Sequence, residues 1–122
     1  MAYPTKRTFD TIRVWAHLAD VSTAGSAFAV APCRGRIINM GSVIYNAITT
    51  ANGAITSKIA GTLITGGSWT ITQSGSAAGD VDSAIPTAAR DVNEGDNIEF
   101  ISDGACDTTC PTMFFADIRP TI

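Results

Sequence analysis

Residues 34–72 read RGRIINMGSVIYNAITTANGAITSKIAGTLITGGSWTIT. Runs rich in Ile, Val, Thr and aromatic residues are punctuated there by Asn52-Gly53 and Gly66-Gly67. Both dipeptides can supply the positive φ angles of primed hairpin turns, so the stretch reads as consecutive antiparallel strands. With Asn52-Gly53 as a two-residue loop, Ala51 pairs with Ala54, Thr50 with Ile55, Ile48 with Ser57 and Asn46 with Ile59. Ile44, Ile48, Ile55 and Ile59 then gather on one face, and Tyr45, Thr49, Thr56 and Lys58 on the other. A one-residue slip would exchange the faces. A second hairpin closed at Gly66-Gly67 pairs Ile64 with Trp69 and Thr62 with Ile71. That puts Ile64, Trp69 and Ile71 on the face opposite Ile55 and Ile59, and a flat ribbon cannot bury both sets on one side. The expectation is a bulge or corner near Ala60-Gly61, where the chain crosses between two sheets of a β-sandwich.

The rest of the chain extends the same pattern. In residues 11–19, Ile12, Val14, Ala16 and Leu18 alternate with Arg13, Trp15 and His17, giving a strand with one wet or interfacial face. Residues 27–31 form a short apolar segment ended by Pro32. Residues 35–45 are apolar on both faces, as in a central strand buried on two sides or one that switches layers at Gly41. Residues 73–90 are rich in Ser, Gly and Ala and read as a long connection. Residues 92–102 are a turn feeding a strand that sends Ile98 and Phe100 one way and Glu99 and Ile101 the other. In the last strand, residues 112–119, Met113 and Phe115 oppose Phe114, Ala116 and Ile118. No amphipathic helix of ten or more residues is evident. The expected fold is all-β, a single antiparallel β-sandwich of jelly-roll-like type over residues 11–122. Residues 1–10, polar and without periodicity, read as an extended N-terminal arm.

Composition narrows the function classes. A chain of 122 residues fits one domain. Charged residues make up 16% against a usual level of roughly 25%, a shortage expected when other subunits cover part of the surface. The net charge of −3 and scattered basic residues disfavour nucleic acid, whose binding needs clustered Lys and Arg. No apolar run approaches the roughly 20 residues of a membrane helix. The N-terminal stretch lacks the apolar core of a signal peptide, so the product is expected to stay in the cytoplasm where it is made.

Candidate chemistry is sparse. His17 is the single histidine, and no Ser, Cys or carboxylate is placed beside it by local sequence, so it reads as an outer-face polar residue rather than a general base. Trp15 beside it reads as an interface anchor or as core of a second layer. Cys106 and Cys110, separated by three intervening residues in a loop, with Cys33 distant, are too few ligands for structural zinc. They read as a tight disulfide or as two inert thiols. Asp80 and Asp82 lack the EF-hand spacing, and Ser74-Gly75-Ser76 fits neither a phosphate loop nor a nucleophile elbow. Glu94, Asp96 and Glu99 read as turn and surface acids. No enzyme activity and no cofactor or metal is expected.

Several segments carry a resemblance. They are Ala31-Pro32-Cys33-Arg34-Gly35-Arg36-Ile37 opening a strand, residues 55–71 with the Gly66-Gly67 turn, GSAAGDVD at 75–82, EGDNIEFISDG at 94–104, and Ala116-Asp117-Ile118. Together they resemble the small β-sandwich decoration, or cement, proteins of tailed-phage capsids over residues 31–120. A Gly-Asp turn before a late strand also occurs in trimeric jelly-roll heads of the tumour-necrosis-factor type. The resemblance implies a homotrimer on the outer capsid surface of the virion, tying major capsid protein subunits together, with assembly in the host cytoplasm. Contact with the capsid or between subunits is then expected from Tyr3, Pro4, Lys6, Arg7 and Phe9 of the arm, and from Arg13 and Trp15. The other function class is a carbohydrate- or receptor-binding module of a phage fibre or head spike. It would use Trp15, Trp69 or Tyr45 as stacking platforms, although Trp69 lies in a strand expected to be half buried.

Overall fold

The computed structural model describes residues 11–121. Ten strands run in order: β1 (Ile12–Leu18), β2 (Gly25–Val30), β3 (Gly35–Ile44), β4 (Gly53–Ile59), β5 (Thr62–Leu63), β6 (Trp69–Ile71), β7 (Val81–Ala84), β8 (Asp91–Val92), β9 (Asn97–Ser102) and β10 (Thr112–Pro120). They form two antiparallel sheets. The first has the order β1-β10-β3-β7, with β8 pairing farther along β3; the second has β2-β9-β4-β5, with β6 pairing farther along β4. Because β5 and β6 share one edge of β4, and β7 and β8 one edge of β3, each sheet is four strand positions wide. The chain passes repeatedly from one sheet to the other, which is the double-sheet jelly roll.

Alternation within each strand decides what lies between the sheets. Ala16, Ala27, Ala29, Ile37, Met40, Ile44, Ile55, Ile59, Ile98, Phe100, Phe114 and Ile118 are buried from both sides, joined by Ile48, Ile64, Trp69 and Ile71. At the centre the rings of Phe100 and Phe114 stack across the two sheets with centroids 5.2 Å apart, and Trp69 meets each edge-on at 6.4 Å. Burying a Phe side chain contributes about 1.5–3 kcal/mol, and such an aromatic pair adds about 0.5–1.5 kcal/mol. The indole N–H of Trp69 donates to Ser42 Oγ at 3.0 Å, a buried hydrogen bond from the second sheet to the first.

The two expected hairpins are corrected. Asn52-Gly53 does not close a turn between β3 and β4, which lie in different sheets. Residues 45–52 instead cross between the layers, their backbone held by loops: Tyr45 N–H donates to Pro111 O, Ile48 N–H to Ser76 Oγ and Thr49 N–H to Thr108 Oγ1. Asn52 Oδ1 accepts from Gln73 N–H at 2.7 Å, so its carboxamide tethers a neighbouring loop. The two-residue turn is Ala60-Gly61, where φ is +47° and +88°, the signs a primed turn requires. It folds β5 back on β4, with Ile59 opposite Thr62. Trp69 pairs with Ile55 rather than Ile64, and Ile71 with Gly53 rather than Thr62. All the apolar residues of 55–71 assigned to opposite faces therefore share one. The passage between sheets expected near Ala60-Gly61 occurs at residues 45–52. Residues 73–90 are also corrected: they contain β7, which pairs Val81 with Val43 and Ala84 with Met40.

Candidate interaction face

The register of the first sheet lays out its outer surface row by row. His17, Met113, Val43 and Val81 form one row; Trp15, Phe115, Gly41 and Ser83 the next; Arg13, Asp117 and Asn39 a third. In the first two rows the polar side chains are His17 and Ser83. Trp15 is 49% exposed and Tyr45, just beyond β3, is 47% exposed. Trp15, Val43, Tyr45 and Met113 line an open groove of about 510 Å3. Phe115 points outward yet is buried, because its ring lies over Gly41. A Cβ built on Gly41 would approach the ring to 2.7 Å and Asp82 O to 2.4 Å, so only glycine fits beneath it. Trp15 leans on Phe115 with centroids 5.7 Å apart. The Tyr45 ring meets His17 at 6.0 Å.

The third row closes that surface with an ion pair. Arg13 Nε donates to Asp117 Oδ1 at 2.6 Å and Nη2 to Oδ2 at 2.9 Å, a bidentate fork. Asn39 Nδ2 adds a longer bond to Oδ2 at 3.4 Å. The guanidinium also sits 4.2 Å over the Phe115 ring and 5.5 Å from that of Trp15. Hydrogen bonding to Arg13 holds the Asp117 carboxyl below the usual carboxylate range against the opposing effect of burial, and the same bond raises Arg13. Both ionised states are thereby fixed.

Of the residues expected at an interface, Arg13 and Trp15 are brought together on this face. Tyr3, Pro4, Lys6, Arg7 and Phe9 lie outside the described residues. Val43, Met113 and Phe115 belong to the face but were not picked out. Their one sequence signal is the apolar character of both faces of residues 35–45 and 112–119. Trp69, a possible stacking platform, is core.

The outer face of the second sheet differs. Phe28 and Val30 on edge strand β2 are exposed, as is Leu63 at the other edge, but Glu99 and Lys58 stand between Phe28 and Leu63. Ser26 Oγ donates to Glu99 Oε2 at 2.6 Å.

The other candidates resolve into structural roles. His17 is exposed on the outer face, with Met113 opposite it on β10. Asp96 accepts from Asn93 N–H and Asp80 from Ala77 N–H, both within their own turns. Desolvation is the main cause raising Asp82, with the Asp80 charge a lesser one. Cys33, Cys106 and Cys110 are free thiols in this structure. Cys106 and Cys110 are both buried, and burial pushes the Cys106 thiol up, away from the reactive thiolate. Among the described residues, no group of three or more His, Cys, Asp or Glu side chains is placed to hold a metal ion.

Charge is distributed along the strand axis. Asp20, Asp80, Asp82, Asp103 and Asp107 all lie at or beside the end where β1 finishes and β10 begins. Arg13, Arg34, Arg36, Arg90 and Arg119 lie toward the opposite end, together with Asp91, Glu94, Asp96 and Asp117.

No family model and no curated protein matches the chain. Solved structures do. A CBM35 from Cellvibrio japonicus Abf62 superposes with a TM-score of 0.52 at 17% identity, over 84% of this chain and 71% of that one. The catalytic unit of a GH87 alpha-1,3-glucanase from Streptomyces thermodiastaticus superposes with a TM-score of 0.50 at 15% identity, over 93% of this chain. This chain spans only 26% of that enzyme unit. At these identities the likeness is one of fold, and the chain is a β-sandwich of the jelly-roll kind that CBM35 also adopts.

Proposed function

We propose that this chain is a non-enzymatic structural protein of a phage head, a decoration protein. It binds the outer capsid surface as a trimer and stabilises contacts between major capsid protein subunits. The observation that carries the reading is the outer face of the first sheet: two rows in which His17 and Ser83 are the polar members, with two half-exposed aromatics and its one ion pair internally neutralised. Such a face suits protein contact, because its core is depleted of charge and enriched in aromatic residues and Met. The chain's low charged fraction and the resemblance over residues 31–120 support the same reading. The mechanism is mechanical. Several weak attachments per trimer act together, and linkage multiplies residence far beyond a single contact. Co-sedimentation with expanded phage capsids tests the proposal: bound protein at saturable stoichiometry is expected, and a protein that stays wholly in the supernatant refutes it.

One observation favours a second reading. Trp15 and Tyr45 flank an open groove of about 510 Å3, and the chain shares its fold with a CBM35. A sugar also needs hydrogen-bond partners for its hydroxyls, and beyond the Trp15 indole N–H and the Tyr45 hydroxyl the lining is Val43 and Met113, which add no conventional donor. Protein contact therefore ranks first. Glycan-array binding in the absence of capsids, abolished by Trp15→Ala, would reverse that order.

A further inference from the structure

The register between β10 and β3 shifts between Asp117 and Ile118, which leaves Ile38 without a partner on β10, a one-residue bulge. In unbroken register Arg119 would stand opposite Ile37. The bulge sets it opposite Arg36 instead, and Asp91 of β8 lies on the other side of Arg36. A fourth row, Arg119, Arg36 and Asp91, thus continues the outer face of the first sheet past Arg13 and Asp117, and all three residues are exposed. Neighbouring strands lie roughly 4.8 Å apart, so two guanidiniums project side by side, an arrangement that repels unless an anion meets it.

Asp91 meets only part of that charge. Its Oδ1 accepts from Arg36 Nε at 3.0 Å, and among the described residues the two terminal nitrogens of Arg36 take no hydrogen bond. Arg13 differs, since Asp117 fills its fork. Arg36 opens on a pocket of about 330 Å3 whose polar lining includes Arg34, Asp91, Asn93 and Thr121. Of the other carboxylates at this end, Asp117 is held by Arg13, Asp96 accepts from Asn93 N–H, and Glu94 lies outside the lining. We infer that this pocket binds the carboxylates of an extended acidic segment of a partner protein, one of them docking on the open end of the Arg36 fork. The cations are strung out rather than convergent: Arg34 and Arg36 are two residues apart along the chain, and Arg119 is one strand over. Successive carboxylates at alternate positions of an extended chain, roughly 6.7 Å apart, match that spacing better than one compact anion does. The site lies at the opposite end of the strands from the Trp15 groove, and the inference does not depend on the decoration reading.

The test is a nuclear magnetic resonance titration of the nitrogen-15-labelled full chain at low salt, with a blocked pentapeptide of alternating Glu and Ala and its Gln counterpart. Saturable shifts at residues 34–36, 91–93 and 121 are expected with the Glu peptide, and binding of the Gln peptide weaker by about tenfold or more. Arg36→Gln should weaken the Glu peptide by a similar factor. Asp91→Asn removes the competing carboxylate and should tighten it several-fold, an effect that loss of structure would not produce. Lys58→Gln on the second sheet should leave it unchanged. Dispersion of the same spectra checks that each variant is folded. The inference is overturned if no saturable shift appears, if the Glu and Gln peptides bind alike, if inorganic phosphate binds as tightly as the Glu peptide, or if Asp91→Asn has no effect. Capsid co-sedimentation is a separate measurement, so such a failure leaves the decoration reading standing.

Discussion

Replacing Trp69 with Phe tests whether the two sheets are joined as described. The indole N–H of Trp69 reaches Ser42 Oγ at 3.0 Å within the core. Phe keeps an aromatic ring against Phe100 and Phe114 but removes the donor and part of the ring volume. The unmade bond leaves the Ser42 hydroxyl without that donor in a site closed to water, at about 1–2 kcal/mol. The volume lost adds about 1–2 kcal/mol, because the surrounding rings relax only in part. The sum is about 2–4 kcal/mol, a fall in melting temperature of roughly 10–15 °C for a domain of this size.

Urea unfolding at fixed protein concentration measures it, since self-association would otherwise move the midpoint by mass action. Ser42→Ala alone should cost about 1–2 kcal/mol by stranding the indole N–H instead. The double variant strands neither group, and should be more stable than the sum of the singles implies by about 1 kcal/mol. If the two substitutions add within roughly 0.3–0.5 kcal/mol, the pair is not coupled and the inter-sheet hydrogen bond contributes nothing.

Other perturbations address other layers. Gly41→Val places a side chain where even a Cβ comes within 2.4 Å of Asp82 O and 2.7 Å of the Phe115 ring; β7 or the ring must yield, and urea unfolding should show a loss of at least about 2 kcal/mol. Asp117→Asn should lower stability by about 1 kcal/mol at pH 7, discounted for the exposure of Arg13. Because Arg13 depresses Asp117, the wild-type advantage is present above the ordinary carboxylate pKa of about 3.9 and is lost as pH falls through the depressed one; urea midpoints from pH 7 to pH 2 should converge. Maleimide should label Cys33 in the native protein and reach Cys106 and Cys110 only after unfolding, read by intact mass.

Local alternation made the inside and outside of most strands legible before any pairing was known. Ile44, Ile48, Ile55, Ile59, Ile64, Trp69 and Ile71 are all buried, and Arg13, Trp15 and His17 all point outward. Pairing was not legible, because it depends on which turn signal closes a hairpin. Asn52-Gly53 has the stronger composition, but its Asn is occupied with Gln73 and its Gly opens a strand. Ala60-Gly61 turns the chain with only one glycine to announce it, since Ala60 also takes a positive φ. The error propagated: the wrong closure put Trp69 opposite Ile64 and implied a corner where there is a hairpin. At the interaction face, Arg13 and Trp15 were readable from β1 alone. Asp117, Met113 and Val43 were not, because they reach that face only through β10, which brings Asp117 to Arg13 across 104 positions of sequence.

The two outer faces of the sandwich differ in how strictly their strands alternate. On the second sheet the usual alternation holds at its centre with one exception: Thr56, Lys58 and Glu99 face outward, joined by the half-buried Ile101, while Ile55, Ile59, Ile98 and Phe100 face the core. On the first sheet it fails at the centre, where Val43, Met113 and Phe115 face outward from strands that also bury Ile44, Phe114 and Ala116. A central strand apolar on both faces has a layer on each side of it. One layer is the core. The other begins within the chain, since Phe115 is roofed by Trp15 and Arg13 and floored by Gly41. It stops at the half-exposed Trp15 and Tyr45.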